Sequence, residues 1–320
     1  MCGTELRRKA YDKMLKWKTE SDGRSALLIE GARRVGKSYL ATRFAEREYK
    51  SHIIINFSKP IKGVLDAFEN DFDDLDFFFN RIAALHDTLL YPRQSVIIFD
   101  EVQRYPHARE LIKFLVEDGR YDYIETGSLI SIKANVKDIV VPSEEDSMTL
   151  CPLDFEEFLW AMGNETLYPY IRDCFENRKP MGEGMHRKAM NLYRQYVLVG
   201  GMPQPVLEYA RSKDFRKTDD VKRKILDLYR KDIVKYAQGY HTKVLGLFDE
   251  LPAQLSKKEK KFNLSDVEDG ARRRSYESAF MWLADGMIIN QCFNSNDLSI
   301  GLSMNLDSTK QKCYMADTGL

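Results

Sequence analysis

The chain has 320 residues, of which 43% are hydrophobic and 31% are charged, and its 49 basic side chains balance 49 acidic ones. This length suggests about two domains, and this composition excludes disordered, collagen-like and disulfide-scaffold chains. The five cysteines lie far apart without a CxxC pair, and the first residues lack the apolar core of a signal peptide, so we expect a cytoplasmic protein with reduced cysteines. Every apolar stretch is shorter than the ~18 residues that span a bilayer, so no membrane partner is predicted.

The zero net charge conceals two segments of opposite sign. Residues 60–90 carry a net charge of −5, whereas residues 211–274 carry +7. A neutral total therefore excludes a uniformly basic protein but is compatible with a basic face on one domain.

The first half of the chain alternates short apolar runs with helical patterns. The apolar runs predict strands at 26–29, 52–57, 95–99, 121–124 and 148–150. Between them, apolar residues recur on one helical face at 38–48 and 107–117. Continuously apolar strands alternating with helices predict an α/β fold with a parallel sheet covered on both faces.

After residue 152 helical patterns dominate, at 155–162, 186–199 and 220–236. The last part of the chain predicts helices at 244–255 and 276–283, with a capping box at 265–268 between them. An alternating strand at 287–293, a turn-rich segment at 294–297 and another apolar stretch follow. This order predicts a winged helix-turn-helix. We therefore predict an ATPase-like α/β domain at 1–160, a helical lid or linker region at 161–240 and a winged-helix-like domain at 241–320.

A phosphate-loop motif follows the first predicted strand and opens the first predicted helix of the α/β part. It fits G-x-x-x-x-G-K-[ST], the Walker A pattern. Glycines let the backbone curl so that N–H groups point at phosphate oxygens, and the helix N-terminus adds positive dipole. We expect Lys37 to bind the β- and γ-phosphates of ATP and the Ser38 hydroxyl to bind Mg²⁺. The residues predicted to surround the phosphates are Gly31, Ala32, Arg33, Arg34, Val35, Gly36, Lys37, Ser38 and Tyr39. The alternative is an ordinary glycine-containing turn.

The predicted strand at 95–99 ends in two carboxylates, a Walker B pattern. Asp100 would hold the magnesium through water, and Glu101 would polarise the attacking water as general base. Acidic residues also end many strands without any catalytic role. The phosphate loop upstream favours the catalytic interpretation.

One complete strand, at 52–57, separates the two motifs in sequence. That order predicts the additional-strand class of P-loop proteins, in which the strand at 121–124 lies between the two motif strands. Thr126 or Ser128 would then be a polar sensor beside the γ-phosphate. A plain polar strand exit explains these two residues equally well.

Several strings together resemble uncharacterised bacterial and archaeal AAA-type ATPases. They are the segments 31–38, 95–103, 125–128, 152–158 and 200–203. The last part, through 314–320, resembles the domain of unknown function that follows the ATPase in them. The resemblance implies ATP binding by an AAA-like module followed by a winged-helix region. Such relatives usually continue into a restriction-nuclease-like fold, so we interpret the apolar ending at Leu320 as a truncation.

The sequence departs from this family where an arginine finger is expected. No arginine occurs from residue 121 to residue 171, and residues 142–145 stand where relatives often carry Gly-Arg. A supplied arginine accelerates hydrolysis by ~10³–10⁵-fold, so we expect slow basal turnover unless Arg120, Lys133 or a partner substitutes. A conventional hexameric ring is therefore not expected, although a homo-oligomer or another protein partner remains open. Arg187 and Arg194 are candidates for a lid arginine.

Basic segments at 257–261 and 272–274 flank the capping box. A DNA reader needs phosphate contacts there, whereas charge runs are commonly only solvated faces. The sequence thus predicts a Mg²⁺-dependent ATP-binding protein, a slow ATPase that couples nucleotide state, ATP or ADP, to movement of its C-terminal domain. The alternative is a nucleotide-gated switch that binds DNA or protein and scarcely hydrolyses ATP.

Overall fold

The computed structural model describes residues 5–127, 144–257, 261–295, 297 and 305–320. The chain divides into two compact units, Arg8–Cys151 and Pro152–Leu320, the second also including the residues up to Arg7. The finer domain bounds at 160 and 240 stay predictions. Among the described residues, none of the helices combines the length and apolar character that a bilayer crossing needs.

The first unit is built on a five-stranded parallel sheet. Its strands are β1 Ala26–Glu30, β2 Ser51–Asn56, β3 Ser95–Asp100, β4 Asp122–Gly127 and β5 Glu145–Thr149. They lie in the order β2-β3-β4-β1-β5. All five predicted strands are confirmed, with end points shifted by at most three residues. Strand β4 pairs with β1 on one side and β3 on the other, as the additional-strand prediction requires.

Helices cover both faces of this sheet. They are α1 Lys9–Ser21, α2 Lys37–Glu48, α3 Val64–Asn70, α4 Leu75–Leu85 and α5 Pro106–Asp118, with a 3₁₀ turn at Val102–Arg104. One core contains Met14 of α1 and Phe44 of α2, and the other contains Phe68 of α3 and Ile112 of α5. All six residues of β3 are buried, because the strand is central and covered on both sides.

The second unit is mainly helical. Its helices are α6 Phe155–Ala161, α7 Leu167–Glu176, α8 Glu183–Val199, α9 Pro203–Ser212, α10 Phe215–Tyr236, α11 His241–Ser256 and α12 Glu277–Asp285. The antiparallel strands β6 Ile289–Ser295 and β7 Leu306–Met315 follow. The predicted order of helices and hairpin is present, and the winged-helix assignment stays a prediction. Residues 298–304, which follow the predicted turn-rich segment, lie outside the described residues.

The predicted capping box at 265–268 is wrong. Leu264–Asp266 forms a 3₁₀ turn rather than the start of an α-helix. The Ser265 hydroxyl donates to the Asn263 side chain at 2.9 Å, and Glu268 accepts the Tyr276 hydroxyl at 2.6 Å. The Ser265 side chain is therefore engaged two residues away and the Glu268 side chain eight residues away, so neither caps helix N–H groups.

Three strings of the family resemblance meet in the second unit. The Leu153 N–H donates to the Gly201 carbonyl at 2.7 Å, and the Gly201 N–H donates to the Asp317 carboxylate at 2.6 Å. The Gly319 N–H donates to the other Asp317 oxygen at 2.9 Å. A Cβ on Gly201 would stand 2.0 Å from the Leu153 carbonyl oxygen, and one on Gly200 would stand 2.1 Å from Asp317. We call these contacts the Asp317 joint. Its close approaches require glycine.

Candidate functional site

The predicted phosphate loop connects β1 to α2 in a tight curl. Gly36, at the N-cap of α2, has φ 100°, and Arg34 has φ 71°. A Cβ on Gly31 would stand 2.4 Å from the Leu150 carbonyl oxygen on the neighbouring segment. The left-handed conformation at Gly36 and the close approach at Gly31 explain why glycines frame the loop.

Helix α2 begins at this loop. In an α-helix the first N–H groups have no carbonyl acceptor within the helix. In α2 these groups belong to Lys37, Ser38 and Tyr39, because the Leu40 N–H already donates to the Gly36 carbonyl at 2.9 Å. Together with the positive end of the helix dipole, they form a site suited to a phosphate.

The Lys37 side chain folds back over the loop and is buried. Its ammonium donates to the carbonyls of Gly31 and Ala32 at 2.9 and 3.0 Å. Burial lowers the pKa of Lys37 to about 8, although the nearby carboxylates of Glu101 and Asp100 oppose this shift. An approaching polyphosphate would supply the negative charge that this buried cation lacks.

Asp100, at the end of β3, accepts hydrogen bonds from three side chains. Ser38 Oγ and Thr126 Oγ1 both donate to Oδ1, at 2.5 and 2.6 Å. Asn56 Nδ2 donates to Oδ2 at 2.7 Å. These donors come from α2, β4 and β2, which the parallel sheet brings to one edge, since the carboxyl ends of β2, β3 and β4 are in register. We call this arrangement the Asp100 cluster.

The Asp100 cluster fits Mg²⁺ through the chemistry of its donors. The Ser38 hydroxyl and the Asp100 carboxylate are hard oxygen ligands, which this ion prefers. Mg²⁺ usually takes only one or two protein carboxylates and completes its octahedron with phosphates and water. Accordingly, residues 5–127, 144–257 and the other described parts contain no group of three or more His, Cys, Asp or Glu side chains that could hold a metal.

Glu101 follows Asp100 and has a left-handed backbone, with φ 58°. It is the N-cap of the 3₁₀ turn Val102–Arg104. The buried Gln103 side chain donates from Nε2 to Glu101 Oε2 at 2.6 Å. A non-glycine residue in this conformation is uncommon and occurs preferentially at functional sites.

Two residues at this site escaped the sequence analysis. Asn56 was visible only as a polar residue near the end of the apolar run at 52–57. Arg8 stood in a basic run at 7–9 that is typical of a solvated surface, yet it is buried. Its guanidinium donates to the Val35 carbonyl of the phosphate loop at 3.2 Å and to the Cys151 carbonyl at 2.6 Å. No local pattern distinguishes such an arginine.

The remaining predicted site residues differ in position. Arg33, Arg34 and Tyr39 are exposed at the loop. The Arg43 guanidinium lies 5.5 Å from the centroid of the Tyr39 ring. Ser128, and with it the choice of Ser128 as the sensor, lies outside the described residues, as does Lys133.

Arg120 cannot replace an arginine finger at its own site. It precedes β4, so it lies at the amino end of the sheet, whereas the phosphate loop follows the carboxyl end of β1. A six-residue strand separates these edges by about 20 Å. The Arg120 guanidinium instead pairs with Asp118 at 2.8 Å and with Asp76.

Some of the arginines and lysines of the second unit have partners in the described part of the chain. Lys257 pairs with Asp266 at 2.6 Å, and the Arg273 guanidinium lies 5.5 Å from the Phe293 ring centroid. Arg272 and Arg274 are exposed. DNA binding through the basic segments stays a prediction. The candidate lid arginines also have local partners: Arg187 pairs with Glu183 at 2.9 Å, and Arg194 donates to Asn191 at 3.4 Å.

A phosphate loop after β1, a carboxylate after β3 and an additional strand between them define the first unit as a P-loop NTPase fold. Residues 23–159 match the model of a family described as an AAA domain. Residues 190–320 match one described as Domain of unknown function (DUF8612). The chain therefore contains a P-loop NTPase fold that is similar to AAA domains, followed by a region similar to a family of undefined function. No curated protein sequence matches the chain significantly.

Several solved structures are similar to the chain. The Walker-type ATPase PABY2304 of Pyrococcus abyssi is 14% identical, with a TM-score of 0.52 over 98% of this chain and 94% of that one. The ORC1 protein of Aeropyrum pernix in complex with DNA is 11% identical, with a TM-score of 0.36 over 98% and 90%. The STAND protein PH0952 of Pyrococcus horikoshii, which has a tetratricopeptide repeat sensor, is 13% identical, with a TM-score of 0.37 over 89% and 40%. The similarity to the Pyrococcus abyssi protein supports the fold.

Proposed function

We propose that the protein binds ATP with Mg²⁺ in the first unit and hydrolyses it slowly. The observation that carries this proposal is the Asp100 cluster beside the phosphate loop. Three side chains from three elements converge on one buried carboxylate, next to a helix N-terminus and a buried lysine. A buried charge of this kind is costly unless it serves as a ligand or a well-paired structural ion.

The residues have separate roles in phosphoryl transfer. Lys37 and the N–H groups at the start of α2 bind the phosphate oxygens, and Ser38 and Asp100 would hold the metal. The metal, when bound, neutralises charge on the β- and γ-phosphates. Glu101 accepts a proton from the attacking water as general base. Thr126, which already contacts Asp100, would sense whether the terminal phosphate is present.

Slow turnover follows from the missing arginine. The segment from 121 to 171 contains none, and Arg120 lies at the opposite edge of the sheet. A finger contributes about 10³–10⁵-fold to hydrolysis. Turnover of tens per second by the purified chain alone would contradict this part of the proposal.

The Glu101→Gln variant separates an ATPase from a nucleotide-gated switch that scarcely hydrolyses ATP. In an ATPase, loss of the general base should reduce kcat by about 10²–10⁴-fold while ATP stays bound. In a pure switch the variant should behave like the natural chain. Glu110→Gln, on the exposed face of α5, is a matched control that should leave turnover unchanged. Radiolabelled phosphate release and retention of bound ATP are the measurements.

We further propose that nucleotide state is transmitted to residues 152–320 through Arg8. This side chain joins the phosphate loop, at Val35, to Cys151, the last residue of the first unit. A shift of the Val35 carbonyl when phosphate binds would move the Arg8 guanidinium and, through it, the Cys151 carbonyl that precedes Pro152. Buried guanidinium groups hold two acceptors in a fixed geometry, which suits such a link.

Hydrogen exchange tests this coupling. In the natural chain, ATP should change the exchange of amides at 153–162, and Arg8→Leu should abolish that change without reducing ATP binding more than about tenfold. Arg24→Leu is the control, because Arg24 is exposed and donates only to carbonyls of its own helix end. An ATP-dependent change that persists in Arg8→Leu would contradict the coupling route.

A further inference from the structure

We infer that Gln103 is a positioning residue for Glu101. This inference rests on the proposed role of Glu101 as general base. The hydrogen bond from Gln103 Nε2 to Glu101 Oε2 is 2.6 Å long. Gln103 is buried, at 5% exposure, whereas Glu101 is partly open to solvent. The fixed partner is thus the amide, and the carboxylate is the group that it orients.

The backbone around the pair is also fixed. The Arg104 N–H donates to the Glu101 carbonyl at 2.9 Å, and the Tyr105 N–H donates to the Val102 carbonyl at 3.1 Å. Val102, between the two side chains, is fully buried in the core beneath the sheet. Glu101 therefore leaves β3 on a rigid turn, and the remaining freedom lies in its own side chain.

The amide acts on the general base by fixing the position of its carboxylate. A carboxylate that is misplaced by about 1 Å relative to the attacking water costs ~10²-fold in rate. Gln103 should therefore increase turnover.

The hydrogen bond also selects which oxygen acts. Oε2 is occupied by the amide, so Oε1 is the oxygen that accepts the proton from water. The proton moves from the attacking water to Oε1, and the resulting hydroxide bonds to the terminal phosphorus as the bond to the bridging oxygen of ADP breaks. Gln103 itself exchanges no proton in this step.

The test uses Gln103→Met, which keeps an unbranched side chain of similar length but removes the donor. We expect kcat to fall about 10–100-fold with the ATP dissociation constant within about threefold of the natural chain. Gln94→Leu, at an exposed position of the same unit, should change neither quantity.

Gln103→Glu gives a second readout, the dependence of kcat on pH. A neutral carboxylic acid at this position can still donate to Glu101, whereas an ionised one repels it. The ratio of its kcat to that of the natural chain should therefore fall as pH rises from about 5.5 to 8. A purely structural role for Gln103 does not make this ratio fall as pH rises. The second variant decides the question if the methionine variant does not fold.

Three outcomes would overturn the inference. One is a methionine variant whose kcat matches that of the natural chain. Another is a rise in kcat, which would mean that the amide restrains Glu101. If the natural chain shows no turnover that depends on Glu101, the proposed function fails together with the inference; if that turnover is present and only the Gln103 results differ from expectation, the inference fails alone.

Discussion

Asp100 in the first unit and Asp317 in the second are both buried where distant segments meet, and the two carboxylates are held differently. Asp100 accepts hydrogen bonds from the side chains of Ser38, Thr126 and Asn56. Asp317 accepts them from the backbone N–H groups of Gly201 and Gly319. Burial raises the pKa of Asp317, although these backbone donors oppose the shift.

The difference separates the proposed metal site from a structural joint. Hydroxyl and amide side chains can rotate, so a metal and its water could replace the hydrogen-bond donors of Asp100. Backbone N–H groups cannot leave without moving the chain, so Asp317 ties the end of β7 and the loop after α8 together. A buried carboxylate thus indicates chemistry or architecture according to the kind of donor around it.

The largest effect is expected at the joint. Gly201→Ala places a Cβ about 2 Å from the Leu153 carbonyl oxygen, so we expect a loss of about 3 kcal/mol or more in the stability of the second unit. Gly184→Ala is the control, since a Cβ there meets nothing within 4 Å, and it should be neutral or stabilising. Chemical denaturation measures the stability of each variant, and a separate measurement of ATP binding tests whether the first unit is intact. Equal loss of stability in the two variants would contradict the role of the joint.

Next in size is removal of charge from the Asp100 cluster. Asp100→Asn keeps the shape but loses the carboxylate that would hold Mg²⁺, so we expect about a 100-fold loss of Mg²⁺-dependent turnover. Asp317→Asn, the matched change in the other unit, should lower stability by about 1–3 kcal/mol while leaving the metal dependence intact. Titration of turnover with Mg²⁺ distinguishes them. The comparison breaks down if both variants alter metal dependence alike.

A smaller effect should follow from the titration of Lys37. Because burial lowers its pKa to about 8, the ammonium is present below that pH and binding of ATP needs no proton uptake. Above pH 8 the lysine must regain a proton from solvent to bind phosphate, so ATP affinity should fall about tenfold between pH 7.5 and 9.5. Terminal phosphates are already ionised in this range. Calorimetry across this range is the measurement, and Lys37→Met should bind weakly with no such decline.

The smallest effect is expected at Arg120. Its ion pairs lie at the amino end of the sheet, so Arg120→Ala should change turnover by less than about twofold. The assay is repeated at low and high protein concentration. A large drop that appears only at high concentration would show that a neighbouring copy contributes this arginine, contrary to our expectation.

The strands and the two motifs could be predicted because their signals are local. Apolar runs such as 95–99 predict buried strands directly, and the phosphate loop needs glycines at positions that the chain's own curl dictates. The capping box at 265–268 was wrong because Asn263 and Tyr276 engage its two terminal side chains. A short local pattern of this kind competes with any nearby partner that folding supplies.

The sequence by itself determined the P-loop class, through the phosphate loop, the paired carboxylates and the strand between them. Only the tertiary structure brought Asn56 to Asp100, Arg8 to Val35, and Asp317 to Gly201. Those contacts join residues 27 to 116 positions apart. Hydrophobic periodicity records which face of an element is buried, but the partner of a buried polar group depends on sheet order and loop paths, which no local pattern encodes.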